Sequence, residues 1–253
     1  MAERQPIKSP VEFRSDYHQH PLQAVFNNIL FEFDWRDVGE MVPVEGGLRY
    51  QAAWIAFVNL GDDPTKGQNP DLGPAIAYDM APLLVEQEPD VVISPYSSKS
   101  LQMAERAVQL ASEELGKDIS LVIFAGDTKE QNVRDKVGED GLILPYKPVT
   151  SKVTKYMGAS REQLDQIAGT RRKILIDDVY TTGATLNTAT RLISTGMQME
   201  IPDGEIPIVV AVYEQPYVDK IKTSERPPYV TALVENPAYI YSPRIPRSVI
   251  LSP

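Results

Sequence analysis

Two adjacent carboxylates, three threonines and a glycine make Lys173-Ile-Leu-Ile-Asp-Asp-Val-Tyr-Thr-Thr-Gly-Ala-Thr185 the segment best equipped for chemistry. Three apolar residues read as a buried strand, with Asp177 and Asp178 at its carboxyl end. The turn after it, Thr181 to Thr185, offers hydroxyl donors and the unpaired N–H groups of a helix that starts there. Such a turn is a seat for a phosphate monoester dianion. Gly183 lets the backbone approach that phosphate with no Cβ in the way. The carboxylates would repel a phosphate. They make sense accepting hydrogen bonds from sugar hydroxyls, or holding a cation a few ångströms away. A ligand with a phosphate at one end and a diol in its middle, a ribose 5-phosphate, satisfies both halves.

The elements that must position these groups are legible from about residue 90 onward. Val91 to Ser94, Ile119 to Ala125, Leu142 to Leu144, Ile174 to Ile176, Ile208 to Val212 and Tyr229 to Val234 are short apolar runs. Strands that read as solid apolar runs are buried on both faces, the mark of a parallel sheet with helices on each side. Between them the 3–4 spacing of Leu101, Ala104, Ala107, Val108, Ala111 and Leu115 predicts a helix stopped by Gly116. Ser160 and Gln163 predict a capping box opening a helix to Ala168. A further helix runs from about Ala184 to Ser194, closed by Gly196. The expected architecture is an α/β open, twisted parallel sheet flanked by helices. Before residue 86 the pattern is less regular. Leu22 to Leu30 is consistent with a helix, Tyr50 to Leu60 does not choose between strand and helix, and Pro74 and Pro82 confine helix in Leu72 to Val85 to short pieces. Prolines 237, 243, 246 and 253 argue against regular structure in the tail. The expected organisation is an N-terminal extension or hood (1–85), an α/β core (86–236) and a tail (237–253).

Composition narrows the function classes. The chain of 253 residues has no cysteine, which excludes zinc ribbons, iron–sulfur clusters and disulfide-stapled scaffolds. Its net charge of −10 disfavours broad nucleic-acid binding. The charge is uneven: residues 1–150 carry 13 basic and 24 acidic side chains, residues 151–253 carry 12 and 11. An anionic ligand is better accommodated by the second part. No apolar run approaches the roughly 20 residues of a membrane helix. Nor does an apolar stretch follow Met-Ala-Glu-Arg-Gln-Pro at the start, so a soluble, cytoplasmic protein is expected. His18 and His20 lack a third ligand at a readable spacing. Asp62-Asp63 beside Pro64 reads as a turn, Trp35 and Trp54 as core or interface residues, and Arg161, Arg171 and Arg172 as surface charges.

The segment 173–185 resembles, nearly position for position, the phosphoribosyl pyrophosphate (PRPP) binding motif of type I phosphoribosyltransferases. A Walker A loop and a dinucleotide fingerprint are both absent. The resemblance implies a Mg²⁺-dependent transfer of the 5-phosphoribosyl group from PRPP to a nitrogen nucleophile, such as a nucleobase in salvage, with release of pyrophosphate. It implies that Tyr180, Thr181, Thr182, Gly183, Ala184 and Thr185 bind the 5-phosphate end, and that Asp177 and Asp178 hold the ribose hydroxyls and act on Mg²⁺ indirectly, through PRPP or water. By the same resemblance Ser97, Ser98, Lys99 and Ser100 form a pyrophosphate loop, with Lys99 acting in catalysis. Ser-Ser-Lys-Ser before a helix also reads as an ordinary cap. Lys147, Lys152 and Lys155 fall where family members have a mobile hood, so Lys152 and Lys155 are hood candidates; a solvated loop is the other reading. The hypoxanthine-guanine enzymes carry a third acid where this chain has Thr181. The Thr-Thr pattern is closer to the orotate enzymes and to ComF-like proteins, loosely over residues 50–196. ComF-like proteins usually open with a four-cysteine zinc ribbon, which this chain lacks. Three alternatives remain at this point: an active transferase, a non-catalytic PRPP- or nucleotide-sensing regulator, and a hydrolase using the same seat. The expected partners are PRPP and a small nitrogenous acceptor, with neither nucleic acid nor membrane, and a second copy of the chain in a homodimer.

Overall fold

The computed structural model describes residues 69–95, 100–147, 153–180, 182–202, 204–214 and 226–236, and the backbone of short strands at 22–26, 29–33, 42–43, 217–218, 221–222 and 239–240. Seven strands form the main sheet: β1 (Val91–Pro95), β2 (Ser120–Asp127), β3 (Leu142–Tyr146), β4 (Lys155–Ala159), β5 (Lys173–Tyr180), β6 (Ile208–Glu214) and β7 (Val230–Asn236). Five helices flank it: α1 (Leu72–Gln87), α2 (Leu101–Leu115), α3 (Glu130–Val137), α4 (Arg161–Ala168) and α5 (Ala184–Met197).

Spatial order is β7-β6-β5-β1-β2-β4-β3. The first five of these are parallel to one another, as the solid apolar runs predict. At the other edge β4 pairs antiparallel with both β2 and β3. The open sheet is therefore mixed rather than wholly parallel. The cause is chain length: the connection 147–154 is shorter than the dozen or so residues a parallel crossover needs, so β3 and β4 return as a hairpin.

Over residues 91–93, 174–176 and 208–211, successive residues serve opposite faces. Val92, Ile174, Ile176, Val209 and Ala211 pack under α1 and α2. Val91, Ile93, Leu175, Ile208 and Val210 pack under α4 and α5. A fully buried side chain such as Leu84 or Ile93 stabilises by about 1.5–3 kcal/mol. That exceeds the value of an exposed ion pair such as Arg161–Asp165, at 2.9 Å, which is about 0–1 kcal/mol.

Four local expectations change. Helix α1 is continuous, with Leu72, Ile76, Met80 and Leu84 along its buried side. Pro74 lies in the first turn, where no N–H is needed, and Pro82 is tolerated inside because packing outweighs one lost hydrogen bond. The expected boundary at 85/86 falls within this helix. Residues 22–26 and 29–33 pair antiparallel instead of forming a helix. Gly196 does not end α5 but lies inside it, where a Cβ would come within 2.7 Å of Leu164 on α4. The helix stops instead at Gln198, in the left-handed conformation at φ 52°. Tyr239–Ile240, in the expected irregular tail, pairs with Val42–Pro43. The capping box at Ser160–Gln163 is present, and Gln163 also donates to the Ile123 carbonyl of β2 at 2.8 Å. Tyr50 to Leu60, His18, His20, Trp35, Trp54 and Asp62-Asp63 lie outside the described residues.

Candidate functional site

Strands β1 and β5 are neighbours, yet the chain leaves them in opposite directions. After β1 it continues to α2 on one face of the sheet, and after β5 to α5 on the other. This is the topological switch point of the sheet, where open α/β folds bind ligands outside the carboxyl ends of the strands. The β1–β5 ladder stops at Ile93↔Leu175, whereas β5 stays paired with β6 as far as Tyr180↔Tyr213. Asp177 and Asp178 follow immediately after the point where the two central strands part.

Asp177 is buried, at 5 % exposure, and Asp178 is half-buried. The Asp178 amide donates to Asp177 Oδ1 at 2.9 Å, and the Val179 amide to Asp178 Oδ1 at 2.8 Å. These bonds aim both carboxylates along their own strand. Burial holds the Asp177 carboxyl well above the usual carboxylate range, and the neighbouring Asp178 charge adds to this. Two acids this close resist ionising together.

The turn into α5 is built on Gly183, at φ 74°. A Cβ there would lie 2.5 Å from Tyr180 Oη and 2.8 Å from Tyr180 Cζ, so no other residue fits without displacing the ring. The Gly183 carbonyl accepts from the Asn187 amide at 2.7 Å and closes the first helical turn. The amides of Ala184, Thr185 and Leu186 precede any intrahelical carbonyl that could receive them, which leaves donors at the positive end of the helix dipole. Thr182 is exposed and Thr185 half-buried. Thr181 lies outside the described residues, as do Ser97, Ser98, Lys99 and Lys152. Ser100 is fully buried at the start of α2.

Two aromatic residues missed by sequence reasoning stand around this turn. Tyr213, register partner of Tyr180, is buried against it with ring centroids 5.7 Å apart. Tyr146 ends β3, which packs against α5. Burial pushes its phenol up, and the Asp177 charge adds to the shift. Lys155 stands directly opposite Tyr146 across the hairpin. Cross-strand partners share a face, so this hood candidate lies on the side that carries Leu144 and Met157 into the core under α5. Neither tyrosine has a sequence signal of its own; each depends on which strands become neighbours.

Asp177 and Asp178 supply oxygen donors only, and no group of three or more His, Cys, Asp or Glu side chains able to hold a metal occurs among the described residues. This donor set fits Mg²⁺, which uses one or two carboxylates and completes its shell with water and substrate phosphates. No helix among the described residues is long and apolar enough to cross a membrane.

No protein-family model and no curated protein matches the chain. Among solved structures it is similar to an APRTase from Giardia lamblia complexed with 9-deazaadenine: 18% identity, 58% of this chain and 70% of that one, TM-score 0.41. It is also similar to an adenine phosphoribosyltransferase from Thermoanaerobacter pseudethanolicus, with 16% identity, 69% and 87% coverage and a TM-score of 0.43. An orotate phosphoribosyltransferase from Francisella tularensis matches with 13% identity, 60% and 56% coverage and a TM-score of 0.34.

Proposed function

We propose that this chain is a phosphoribosyltransferase, which moves the 5-phosphoribosyl group of PRPP to a nitrogen nucleophile, a nucleobase, and releases pyrophosphate. The observation that carries this reading is the joining of an acidic pair, one buried and one half-buried, to a helix N-terminus through a left-handed glycine, at the switch point of the sheet. Diol acceptors and phosphate donors are thereby a few residues apart on rigid elements.

Each group then has a task. The α5 amides, with the hydroxyls of Thr181, Thr182 and Thr185, anchor the 5-phosphate and orient the sugar, which supplies part of the barrier reduction as pre-paid entropy. Asp177 and Asp178 accept hydrogen bonds from the 2- and 3-hydroxyls. As the anomeric bond breaks, positive charge grows on the ribose ring, and Asp178 adds negative potential beside it. Lys155 on the hairpin, with Lys152 and Lys99, neutralises the departing pyrophosphate and excludes water. Bound Mg²⁺ would make pyrophosphate a better leaving group, with Asp177 and Asp178 holding it through water.

The test is pyrophosphate release from PRPP by the full chain, with Mg²⁺ and each of adenine, hypoxanthine, guanine, uracil and orotate. Release that requires one base is the expected result. Release without any base indicates a hydrolase, and tight PRPP binding without turnover indicates a regulator; either outcome replaces this reading.

A further inference from the structure

Tyr180 sits between the carboxylates and the helix, yet it is 6 % exposed. Its ring is packed into the hydrophobic core under α5. It belongs to the face that packs under α5, and so does Tyr213, 3 % exposed and paired with it in register. The rings lie 5.7 Å apart, inclined by 31°, so Tyr213 backs Tyr180 from the next strand. The tip of Tyr180 fills the space beneath Gly183. A Cβ on that glycine would meet Oη at 2.5 Å and Cζ at 2.8 Å, with Asn187 Nδ2 at 3.2 Å.

We propose that Tyr180 is a positioning residue, a wedge that sets the distance between the acidic pair on β5 and the donor amides of α5. This rests on reading the turn as a phosphate seat. The geometry supplies the reason. Tyr180 belongs to the strand that carries Asp177 and Asp178, and its far end bears on the glycine that opens α5. The ring is rigid, and Tyr213, its register partner on the adjacent strand, packs beside it. Gly183 therefore cannot sink, and the first amides of α5 stay at a set height above the carboxylates. A ligand that touches only the amides is indifferent to that spacing. A ligand that must reach the amides with its phosphate and the carboxylates with its hydroxyls is not.

The experiment compares two probes, inorganic phosphate and ribose 5-phosphate, by calorimetry on the parent chain, Tyr180→Leu and Tyr180→Phe, with folding checked by circular dichroism. Misplacement by about 1 Å can cost about 100-fold, so Tyr180→Leu is expected to weaken ribose 5-phosphate binding about tenfold while phosphate binding changes less than about twofold. Tyr180→Phe keeps the ring and Cζ beneath Gly183 and is expected to restore the parent ratio. An unchanged ratio in Tyr180→Leu overturns the proposal, as does a Phe variant as impaired as Leu. If Tyr180→Leu does not fold, Tyr213→Leu takes its place: a shift of the ratio in the same direction supports the wedge, and an unchanged ratio overturns it. A parent chain that binds neither inorganic phosphate nor ribose 5-phosphate overturns the phosphate-seat reading itself, and is distinguished by the wild-type measurement alone.

Discussion

At the amino-terminal edge of the sheet, Asp90 accepts the Arg172 amide at 2.9 Å and Lys117 Nζ at 3.1 Å. Its own amide donates to the Arg172 carbonyl, and its carbonyl accepts from the Ser120 amide, tying β1 to its neighbours on both sides. Those partners, the Arg172 amide foremost, hold its carboxyl below the usual range. At the carboxyl edge Asp177 has the reverse surroundings: it is buried beside a second acid, and its carboxyl is held well above that range. The first carboxylate is arranged for the fold. The second is kept where the fold gains nothing from its charge, the condition expected of a group reserved for a ligand.

The largest expected effect separates the edges by activity. Asp178→Asn should lower pyrophosphate release from PRPP by about 100-fold or more, the scale for losing a group aimed at developing charge, with an unaltered circular dichroism spectrum. Asp90→Asn should leave turnover near the parent value; equal losses in both variants would end the distinction. Next comes Gly183→Ala, which combines φ 74° with a Cβ 2.5 Å from Tyr180. It should cost about 2–3 kcal/mol in urea unfolding and weaken ribose 5-phosphate binding as well.

Opposite stability changes at the two acids are a smaller effect and a sharper one. Asp90→Asn should destabilise by about 1 kcal/mol at pH 7, discounted for its solvent exposure. Asp177→Asn should stabilise by roughly 1 kcal/mol there. The pH dependences also oppose. Asp90, with its folded pKa depressed, contributes stability above the unfolded value near 3.8 that is lost as pH falls through the folded value. Asp177, with its folded pKa raised, binds its proton more tightly when folded, so stability declines as pH rises from about 3.8 toward the folded value. Urea midpoints of the two Asn variants against the parent, measured from pH 3 to 8, would show the two differences moving in opposite directions. The smallest effect belongs to neither edge. Arg161→Ala breaks an exposed pair on α4 and should shift stability by less than about 0.5 kcal/mol.

Much of the fold was legible because the signals are local. The limits of α2 follow from its 3–4 apolar spacing and from Gly116 in the left-handed conformation. The capping box of α4 needs only Ser160 and Gln163. The acidic pair and Thr-Thr-Gly turn announced a site before any strand was paired. The antiparallel return of β4 was missed, because the stretch from Tyr146 to Met157 has no strong periodicity and its partners lie on other strands. Gly196 was misread as a stop for a similar reason: its function is to admit Leu164 of another helix.

What lay in the chain as written was the chemistry of one segment: which residues carry charge, hydroxyls or a missing Cβ, and that a strand delivers them to a helix N-terminus. These depend on neighbours within a few positions, and a string of residues states them directly. Which elements surround that segment was settled by packing. Tyr213 reaches Tyr180 because β6 is the strand beside β5, and Tyr146 with Lys155 reaches the same side of the sheet because a short connection forces a hairpin. The raised pKa of Asp177 belongs to the same class, since the burial behind it exists only once the chain has folded around β5.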